Sequence, residues 1–304
     1  MPPLPLLTGA CGELKQSVAD QRLHRKPERV MTARGFLWSS LVFFVAAFAT
    51  LVSPGGEADP AAAEKAQTPP PPGYDDTPFL PDSPWRVHDR NRPQPPLVAP
   101  GATDDAPPAD AIVLFGGTDL SAWEDANPEG VDGGAINILK AGNLRTKQSF
   151  GDCQLHVEWM SPSPADGGPM NWGNSGVFMM GLFEVQIIES HDSHIYADGN
   201  AGAIYGQTPA LVNASRAPGH WQSFDIVFLA PRFDGEKLVE PARATVFHNG
   251  VLVQYHQAIL GATAHKTFPQ YTSTATEGPV ELQAHGSAVR FRNIWIRPLN
   301  LGAE

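Results

Sequence analysis

Residues 173–190 read GNSGVFMMGLFEVQIIES and decide the fold of the chain. Two apolar runs stand on either side of Gly181, a pattern typical of two β-strands joined by a turn. The second run carries Glu184, Gln186 and Glu189 among valines and isoleucines. A strand this apolar should face a core, so its three polar residues need a separate explanation.

Strand alternation supplies that explanation, because successive side chains point to opposite faces of a sheet. Val185 and Ile187 would pack into the core, and Glu184 and Gln186 would then lie on the opposite face. A β-bulge close to Ile187 would bring Glu189 onto that polar face as well. The alternative is an ordinary outer face exposed to solvent.

The chain from residue 110 onward consists of short apolar runs separated by turn residues, which predicts strands. These runs are 111–117, 153–160, 176–180, 183–189, 223–230, 242–248, 251–256, 280–285 and 289–297. Asn249 and Gly250 stand between two of them, the strongest short signal for a hairpin. Because no helical period and no strand–helix alternation is found, we predict an all-β, antiparallel sandwich.

Composition and charge limit the class of protein. The 304 residues suggest one or two domains, and a hydrophobic content of 42% is sufficient for a globular core. The net charge of −11 argues against nucleic-acid binding, which requires clustered Lys and Arg. We therefore expect no nucleic-acid partner.

The N-terminal region is predicted to be a targeting segment. Arg34 precedes an uncharged apolar run, and Ala47-Phe48-Ala49 fits a cleavage site of small residues. We interpret residues 1–30 as an upstream extension and residues 31–49 as a signal peptide. The protein would be exported to the periplasm or the extracellular space, and membrane-bound only if the segment stays uncleaved.

Half of the 30 prolines lie in residues 50–110. We predict a Pro-rich linker over residues 50–83 and an extended arm over residues 84–109, before a sandwich domain over residues 110–304. Trp85, Val87 and Leu97 are the apolar anchors expected to hold residues 84–98 against the sandwich. Residues 60–78 are expected to stay mobile.

Two polar motifs suggest chemistry. The E-x-Q-x-x-E spacing at residues 184–189 is similar to the E-x-D-x-x-E strand of laminarinase-type retaining glucanases, in which two glutamates flank a glycosidic bond. The segment VELQAH places Glu281, Gln283 and His285 on one face of a strand. The segment ESHDSH, residues 189–194, gathers groups that can bind a metal ion, although a solvated polar loop is the favoured interpretation.

Six longer motifs occur in the order of one known family. They are VLFGGTDLSAW (113–123), TKQSFGDCQLHVEW (146–159), GNSGVFMMGLFEVQI (173–187), YADGNAGAIYGQTPALVNASRAPGHWQSFDIVF (196–228), ARATVFHNGVLV (242–253) and LQAHGSAVRFRNIWIRPL (282–299). Together they resemble the 3-keto-disaccharide hydrolase family, also described as a 3-keto-glucoside 1,2-lyase / 3-keto-2-hydroxy-glucal hydratase domain. The resemblance implies a concanavalin A-like jelly-roll sandwich, in agreement with the predicted strands.

The resemblance also implies a substrate and a reaction. The substrate would be a glucoside or oligosaccharide whose C3 hydroxyl is already oxidised to a ketone. Such a ketone acidifies the C2 proton, so a base can remove it while the C1 substituent leaves, and water can then add to the resulting glucal. The reaction needs a base at C2, an electrophile at the C3 oxygen and an acid at the leaving oxygen.

Candidate residues follow from the matching motifs. His285 is the first candidate for the base, and Glu184 is the second, either as base or as metal ligand. Glu189 is the further catalytic carboxylate. The expected substrate-binding residues are Gln186, Gln283, Asn174, Arg145, Tyr205 and Gln207. A divalent metal ion polarising the ketone is compatible with the resemblance, but the residues alone establish no cofactor and no metal ligands.

Two positions depart from the family pattern: Glu189 stands where Asp is common, and Ala284 stands where the family tends to carry Asp. Two other functions therefore remain open. One is a non-catalytic carbohydrate-binding module, and the other is a classical retaining glucanase that uses Glu184 and Glu189. The sequence does not fix the aglycone, the anomeric preference or the oligomeric state.

Overall fold

The computed structural model of the protein describes residues 71–193 and 195–301. The predicted upstream extension, signal peptide and most of the Pro-rich linker lie outside these residues, as does the predicted mobile stretch up to residue 70. Every secondary-structure element described below belongs to the unit Pro72–Glu304. Within the described part of the chain, no helix is sufficiently long and apolar to cross a membrane.

The described residues form fifteen strands, one short α-helix and two 3₁₀ turns. In chain order the strands are β1 (Ile112–Phe115), β2 (Trp123–Glu124), β3 (Val131–Asp132), β4 (Ala135–Asn137), β5 (Leu144–Phe150), β6 (Cys153–Met160), β7 (Ser175–Met179), β8 (Phe183–Ile187), β9 (Gln222–Leu229), β10 (Arg232–Asp234), β11 (Lys237–Glu240), β12 (Arg243–His248), β13 (Val251–Ala258), β14 (Gly278–Leu282) and β15 (Arg290–Pro298). The helix α1 is Ile138–Ala141, and the 3₁₀ turns are Pro128–Gly130 and Ala197–Gly199.

Two large antiparallel sheets contain most of these strands. The eight-stranded sheet has the order β13-β12-β9-β6-β15-β4-β3, with β1 also paired to β15. The five-stranded sheet has the order β2-β5-β14-β7-β8, and β10 with β11 forms a separate two-stranded ribbon. The prediction of an all-β sandwich of antiparallel sheets is confirmed.

The core lies between the two large sheets. Side chains from both sheets belong to one buried cluster, including Val185 and Ile187 of β8 and Ile226 and Phe228 of β9. The rings of Phe183 and Phe228 meet across the two sheets, with centroids 6.0 Å apart. Burying a side chain of this size contributes about 1.5–3 kcal/mol to stability, so the inner face of β8 is fixed by packing.

Two hairpins turn through central residues that both have positive φ. Met180 and Gly181 have φ angles of 55° and 66° between β7 and β8, and Asn249 and Gly250 have φ angles of 52° and 77° between β12 and β13. Positive φ at both central residues matches the twist of the flanking strands and favours Asn and Gly. The predicted Asn-Gly hairpin is therefore confirmed.

One irregular segment continues the five-stranded sheet beyond β8. The amide of Gln186 donates to Ala203 O (3.0 Å), and the amide of Gly202 donates back to Gln186 O (2.9 Å). The amide of Tyr205 donates to Glu184 O (3.2 Å). Residues 202–205 therefore lie beside β8, with Tyr205 next to Glu184.

The last residues of the predicted linker pair with the start of the arm, and the arm joins the sandwich at its end. Phe79 and Arg86 form an antiparallel bridge, and the Arg86 guanidinium lies 3.9 Å from the centre of the Phe79 ring. Further along, Asp105 O accepts hydrogen bonds from Asn293 Nδ2 (2.8 Å) and Trp295 Nε1 (3.0 Å). Leu97 is 99% exposed, so its predicted role as an apolar anchor is wrong.

Candidate functional site

A cleft of about 570 Å³ opens on the face of the five-stranded sheet that points away from the core. Its walls combine residues of strands β7 and β8 with residues of the irregular segments around them. The lining consists of Met170, Asn171, Asn174, Phe178, Glu184, Gln186, Tyr196, Tyr205, Thr263, Ala264, His265, Gln283 and His285. Five of the predicted site residues besides Glu184 therefore meet in one cavity: Asn174, Gln186, Tyr205, Gln283 and His285.

The strand register explains why these residues meet. Phe178 of β7 pairs with Glu184 of β8, and on its other side with Glu281 of β14. These three residues lie in one row across the polar face of the sheet, and Tyr205 extends that row beyond β8. Alternation places Gln186 on the same face of β8, two residues from Glu184.

Glu184 is a strongly perturbed titratable group in the cleft. Its side chain is only 4% exposed, and no side chain or backbone group of the described residues forms a hydrogen bond with its carboxyl group. Burial raises the pKa of Glu184 from 4.5 to about 8 because the charged form loses its hydration. At neutral pH the group therefore holds its proton, and it can donate that proton to a ligand.

Three amide side chains give the cleft its hydrogen-bonding capacity. Gln186 is 2% exposed, and its buried Oε1 has no hydrogen-bond partner among the described residues. Asn174 is oriented by donation from its Nδ2 to Met170 O (3.1 Å). The main chain of Gln283 is fixed on both sides, because its N donates to Gly176 O (3.0 Å) and its O accepts from Ser175 Oγ (2.6 Å). Such amides are suited to bind sugar hydroxyls, which both donate and accept.

A chain of three hydrogen-bonding side chains forms another wall. Tyr196 Oη lies 2.9 Å from Tyr205 Oη, which lies 2.8 Å from His265 Nδ1. A second cavity of about 340 Å³ shares Tyr196, Tyr205, Ala264 and His265 with the cleft. Burial, followed by the contact with Tyr196, raises the pKa of Tyr205 above its usual value.

Comparison with known proteins assigns the family. The sequence pattern of the 3-keto-alpha-glucoside-1,2-lyase-like domain matches residues 110–297. The chain belongs to this family. A candidate glycosyl hydrolase from Parabacteroides distasonis ATCC 8503 is 40% identical over 68% of this chain and 93% of that chain, with a TM-score of 0.64.

A second candidate glycosyl hydrolase from the same organism is 22% identical, covering 62% of this chain and 99% of that chain, with a TM-score of 0.48. No curated protein shows significant similarity to this chain.

Three residues predicted from the sequence as site residues are not part of the cleft lining. Arg145 lies further along the same sheet face, where Nη1 contacts Glu281 Oε1 at 2.7 Å and Nε lies 3.6 Å from Glu124 Oε2. Gln207 joins two segments, since its Nε2 donates to Gly261 O (3.0 Å) and its Oε1 accepts from Leu260 N (2.7 Å). Glu189 is the third.

Glu189 follows β8 and turns its carboxyl group to the backbone. Its Oε1 accepts from the amides of His191 (2.6 Å) and Asp192 (3.0 Å), and the side chain is 1% exposed. The expected bulge does not bring Glu189 beside Glu184, because β8 ends at Ile187 and the chain then turns into the loop that Glu189 stabilises. In this family member, Glu189 has the contacts of a loop-capping residue.

Ala284, where the family tends to carry Asp, packs against the hydrophobic core. Its amide donates to Asn143 Oδ1 (2.7 Å). A side chain at this position therefore points away from Gln283 and His285, as alternation predicts. The missing carboxylate would not have stood in the cleft.

The described residues contain no cluster of the side chains that most often bind a divalent metal ion. Among residues 71–193 and 195–301, no group of three or more His, Cys, Asp and Glu side chains is close enough to hold one. In the ESHDSH segment, Glu189 binds the backbone and His191 pairs with Asp192; His194 lies outside the described residues. The cleft itself holds one carboxyl group, so no step proposed below passes through a metal.

Sequence reasoning missed His265, Tyr196 and Thr263. Tyr196 begins a motif shared with the family, and that motif is the one signal that could have identified it. His265 and Thr263 lie in an irregular segment after β13, where no periodicity indicates which way a side chain points. Thr263 Oγ1 accepts from the amide of Glu184 (3.0 Å) and thereby joins this segment to β8.

Proposed function

We propose that the protein is a carbohydrate-active enzyme that cleaves 3-keto-glucosides by removing the C2 proton and eliminating the C1 substituent. Hydration of the resulting glucal makes the net reaction a hydrolysis. Membership of the 3-keto-alpha-glucoside-1,2-lyase-like family supports the substrate class. The observation that carries the proposal is the neutral, buried carboxyl group of Glu184 within a cleft lined by amides.

Glu184 is assigned as the general acid. An elimination at C1 expels an oxygen that must be protonated, and this requires a donor that still holds its proton at working pH. A carboxyl group with a pKa of about 8 meets that requirement, whereas one with an ordinary pKa near 4.5 does not. Once ionised, the same carboxylate can accept a proton from the water that adds to the glucal.

His285 is assigned as the base at C2. It is exposed, lies three residues after the end of β14, and lines the same cleft as Glu184. Neutral imidazole is the side-chain base best matched to neutral pH. Gln186, Asn174 and Gln283 would bind the hydroxyl groups that the ring retains, and thereby hold C2 towards the base and the C1 oxygen towards the acid.

The retaining-glucanase alternative loses its support in this arrangement. Such enzymes place two carboxyl groups about 5–5.5 Å apart on either side of the glycosidic bond. Glu184 lines the cleft, but Glu189 binds two backbone amides and is absent from the lining. Glu184 therefore lacks the partner that a double displacement requires.

The test is turnover of matched oxidised and unoxidised substrates. The full-length protein is incubated with a 3-keto-glucoside and, separately, with the same glucoside bearing a C3 hydroxyl, with and without EDTA. We expect 3-keto-2-hydroxy-glucal and then 3-keto-glucose from the oxidised substrate alone, observed by NMR. Cleavage of the unoxidised glucoside would indicate a glucanase. Binding in calorimetry without turnover would indicate a binding module, and either result overturns the proposal.

A further inference from the structure

The proposed elimination leaves one role unassigned. When C2 loses its proton, negative charge develops on the C3 oxygen, and a donor aimed at that oxygen lowers the barrier. Glu184 and His285 are already assigned to the leaving oxygen and to C2. We infer that the hydroxyl group of Tyr205, oriented by Tyr196 and His265, donates to the C3 oxygen. This inference rests on the proposed function.

Backbone pairing places Tyr205 where the role requires it. The Tyr205 amide donates to Glu184 O, so the two residues occupy neighbouring positions in the same row across the sheet. Both side chains line the cleft. A substrate ring held above this row would present its C1 and C3 substituents to different groups of the row.

The hydrogen bonds around Tyr205 determine where its proton can point. A phenol oxygen has one proton and two lone pairs. The Tyr196 hydroxyl and His265 Nδ1 approach this oxygen at 2.9 and 2.8 Å, and both groups are able to donate. When both donate, the two lone pairs are used and the Tyr205 proton is left for a ligand in the cleft. The His265 ring, inclined by 17° to that of Tyr205, supports this orientation.

The environment also keeps the proton on Tyr205. Burial raises the pKa of this phenol, and its contact with Tyr196 and the nearby Glu184 and Asp198 carboxyl groups act in the same direction. Tyr205 thus remains a neutral O–H donor throughout the physiological pH range. It does not become a phenolate that would repel the developing negative charge.

The electron and proton balance closes without an added reactant. The C2–H bond breaks, its proton goes to His285, and its electron pair moves through the enolate to form the C1=C2 bond as the C1–O bond breaks. Glu184 transfers its proton to the departing oxygen. Tyr205 keeps its proton and forms a hydrogen bond with the C3 oxygen that is strongest while that oxygen is negative.

The test separates enolate formation from cleavage. A 3-keto-1,5-anhydroglucitol has no leaving group at C1, so exchange of its C2 proton in D₂O, followed by NMR, reports enolisation alone. We expect the full-length wild-type protein to catalyse exchange. Tyr205→Phe should lower the exchange rate about 10²–10³-fold, the scale for loss of one oxyanion donor, with little change in substrate affinity.

Control variants distinguish the donor from a structural effect. Tyr255→Phe removes a phenol hydroxyl at a residue that is 73% exposed and outside the cleft, and should leave exchange unchanged. His265→Leu should reduce exchange, whereas His265→Asn, whose amide can still donate, should restore most of it. Melting temperatures are measured for every variant to verify folding.

Each outcome has a distinct meaning. Wild-type protein that exchanges no C2 proton would overturn the proposed function together with this inference. Wild-type exchange that Tyr205→Phe leaves unchanged, or a variant that loses only affinity, would overturn the role of Tyr205 and leave the proposed function standing. Equal losses in His265→Leu and His265→Asn would remove His265 as a positioning residue.

Discussion

The carboxyl group of Glu184 lies directly over the backbone of Gly176 on the neighbouring strand. A Cβ atom built on Gly176 would stand 2.3 Å from Glu184 Oε1 and 2.9 Å from Glu184 Cδ. No real Cβ atom approaches another atom so closely, so only glycine allows the carboxyl group to occupy this position. The residue opposite Glu184 on the sheet, Phe178, forms the adjacent floor of the cleft.

Gly176→Ala should therefore displace the Glu184 carboxyl group. We expect a decrease in kcat of about 10²-fold, the scale for a catalytic group moved by about 1 Å, and a loss of about 1–3 kcal/mol in unfolding free energy from overpacking. Gly116→Ala is the matched control, because its new Cβ would meet only Val113 Cγ1 at 3.4 Å. Equal kcat values for the two variants would contradict the importance of this contact.

The raised pKa of Glu184 predicts a pH dependence of stability. Between pH 4.5 and about 8 the folded state holds a proton that the unfolded state has released, so stability decreases as pH rises through this window. Glu184→Gln removes the effect. Within this window, the unfolding free energy of the variant minus that of wild type should increase by about 1.4 kcal/mol for each unit by which the pH rises. Urea titrations at several pH values measure this difference, and parallel curves would disprove the shift.

Turnover of 3-keto-glucosides should depend on the pair Glu184 and His285. Glu184→Gln and His285→Ala should each lower kcat about 10²-fold or more, the usual contribution of a general acid or base. The double variant should lose less than the product of the two single losses, because groups that act in one step are not additive. Near wild-type rates in both single variants, with unchanged melting temperatures, would remove them from the mechanism.

Glu189 should behave as a structural residue. Glu189→Gln keeps an oxygen that can accept the two backbone amides, so both turnover and stability should be retained. Glu189→Ala leaves those amides without their acceptor and should lower the unfolding free energy by about 1–3 kcal/mol. If Glu189→Gln instead lowered turnover about 10²-fold with no loss of stability, the Glu189 carboxylate would have a catalytic role.

We also propose that the chain is exported, on the basis of Arg34, the apolar run that follows it and the small residues at 47–49. N-terminal sequencing of the protein purified from its native cells should begin near Thr50. A cytoplasmic protein that retains Met1 would refute this proposal.

The strand pattern was sufficient to predict the two faces of the sheet. Alternation assigned Val185 and Ile187 to the core and Glu184 and Gln186 to the opposite face, and burial and cleft lining confirm both assignments. This succeeded because packing of one face of β8 into the core fixes the register of the strand. Alternation failed at Glu189, because the strand had already ended and a local capping interaction determined the direction of the side chain.

Strand β5 and the contact between His265 and Tyr205 were not predicted from the sequence, each for its own physical reason. Strand β5 was not predicted, because its polar exposed residues Arg145, Lys147 and Gln148 separate the buried Leu144 and Phe150, so the segment contains no apolar run. His265 is 60 residues from Tyr205 in sequence and reaches it through an irregular segment. The sequence around each residue does not indicate this contact, because the contact depends on how the whole chain folds.

The segment 202–205 has a consequence beyond the position of Tyr205. Strand β8 is the last in the order of the five-stranded sheet, and its backbone would otherwise present free N–H and C=O groups along an apolar sequence. Uncovered edges of this kind readily pair with strands of other molecules. The main-chain hydrogen bonds that align Tyr205 with Glu184 therefore also protect the protein against edge-to-edge aggregation at this edge strand.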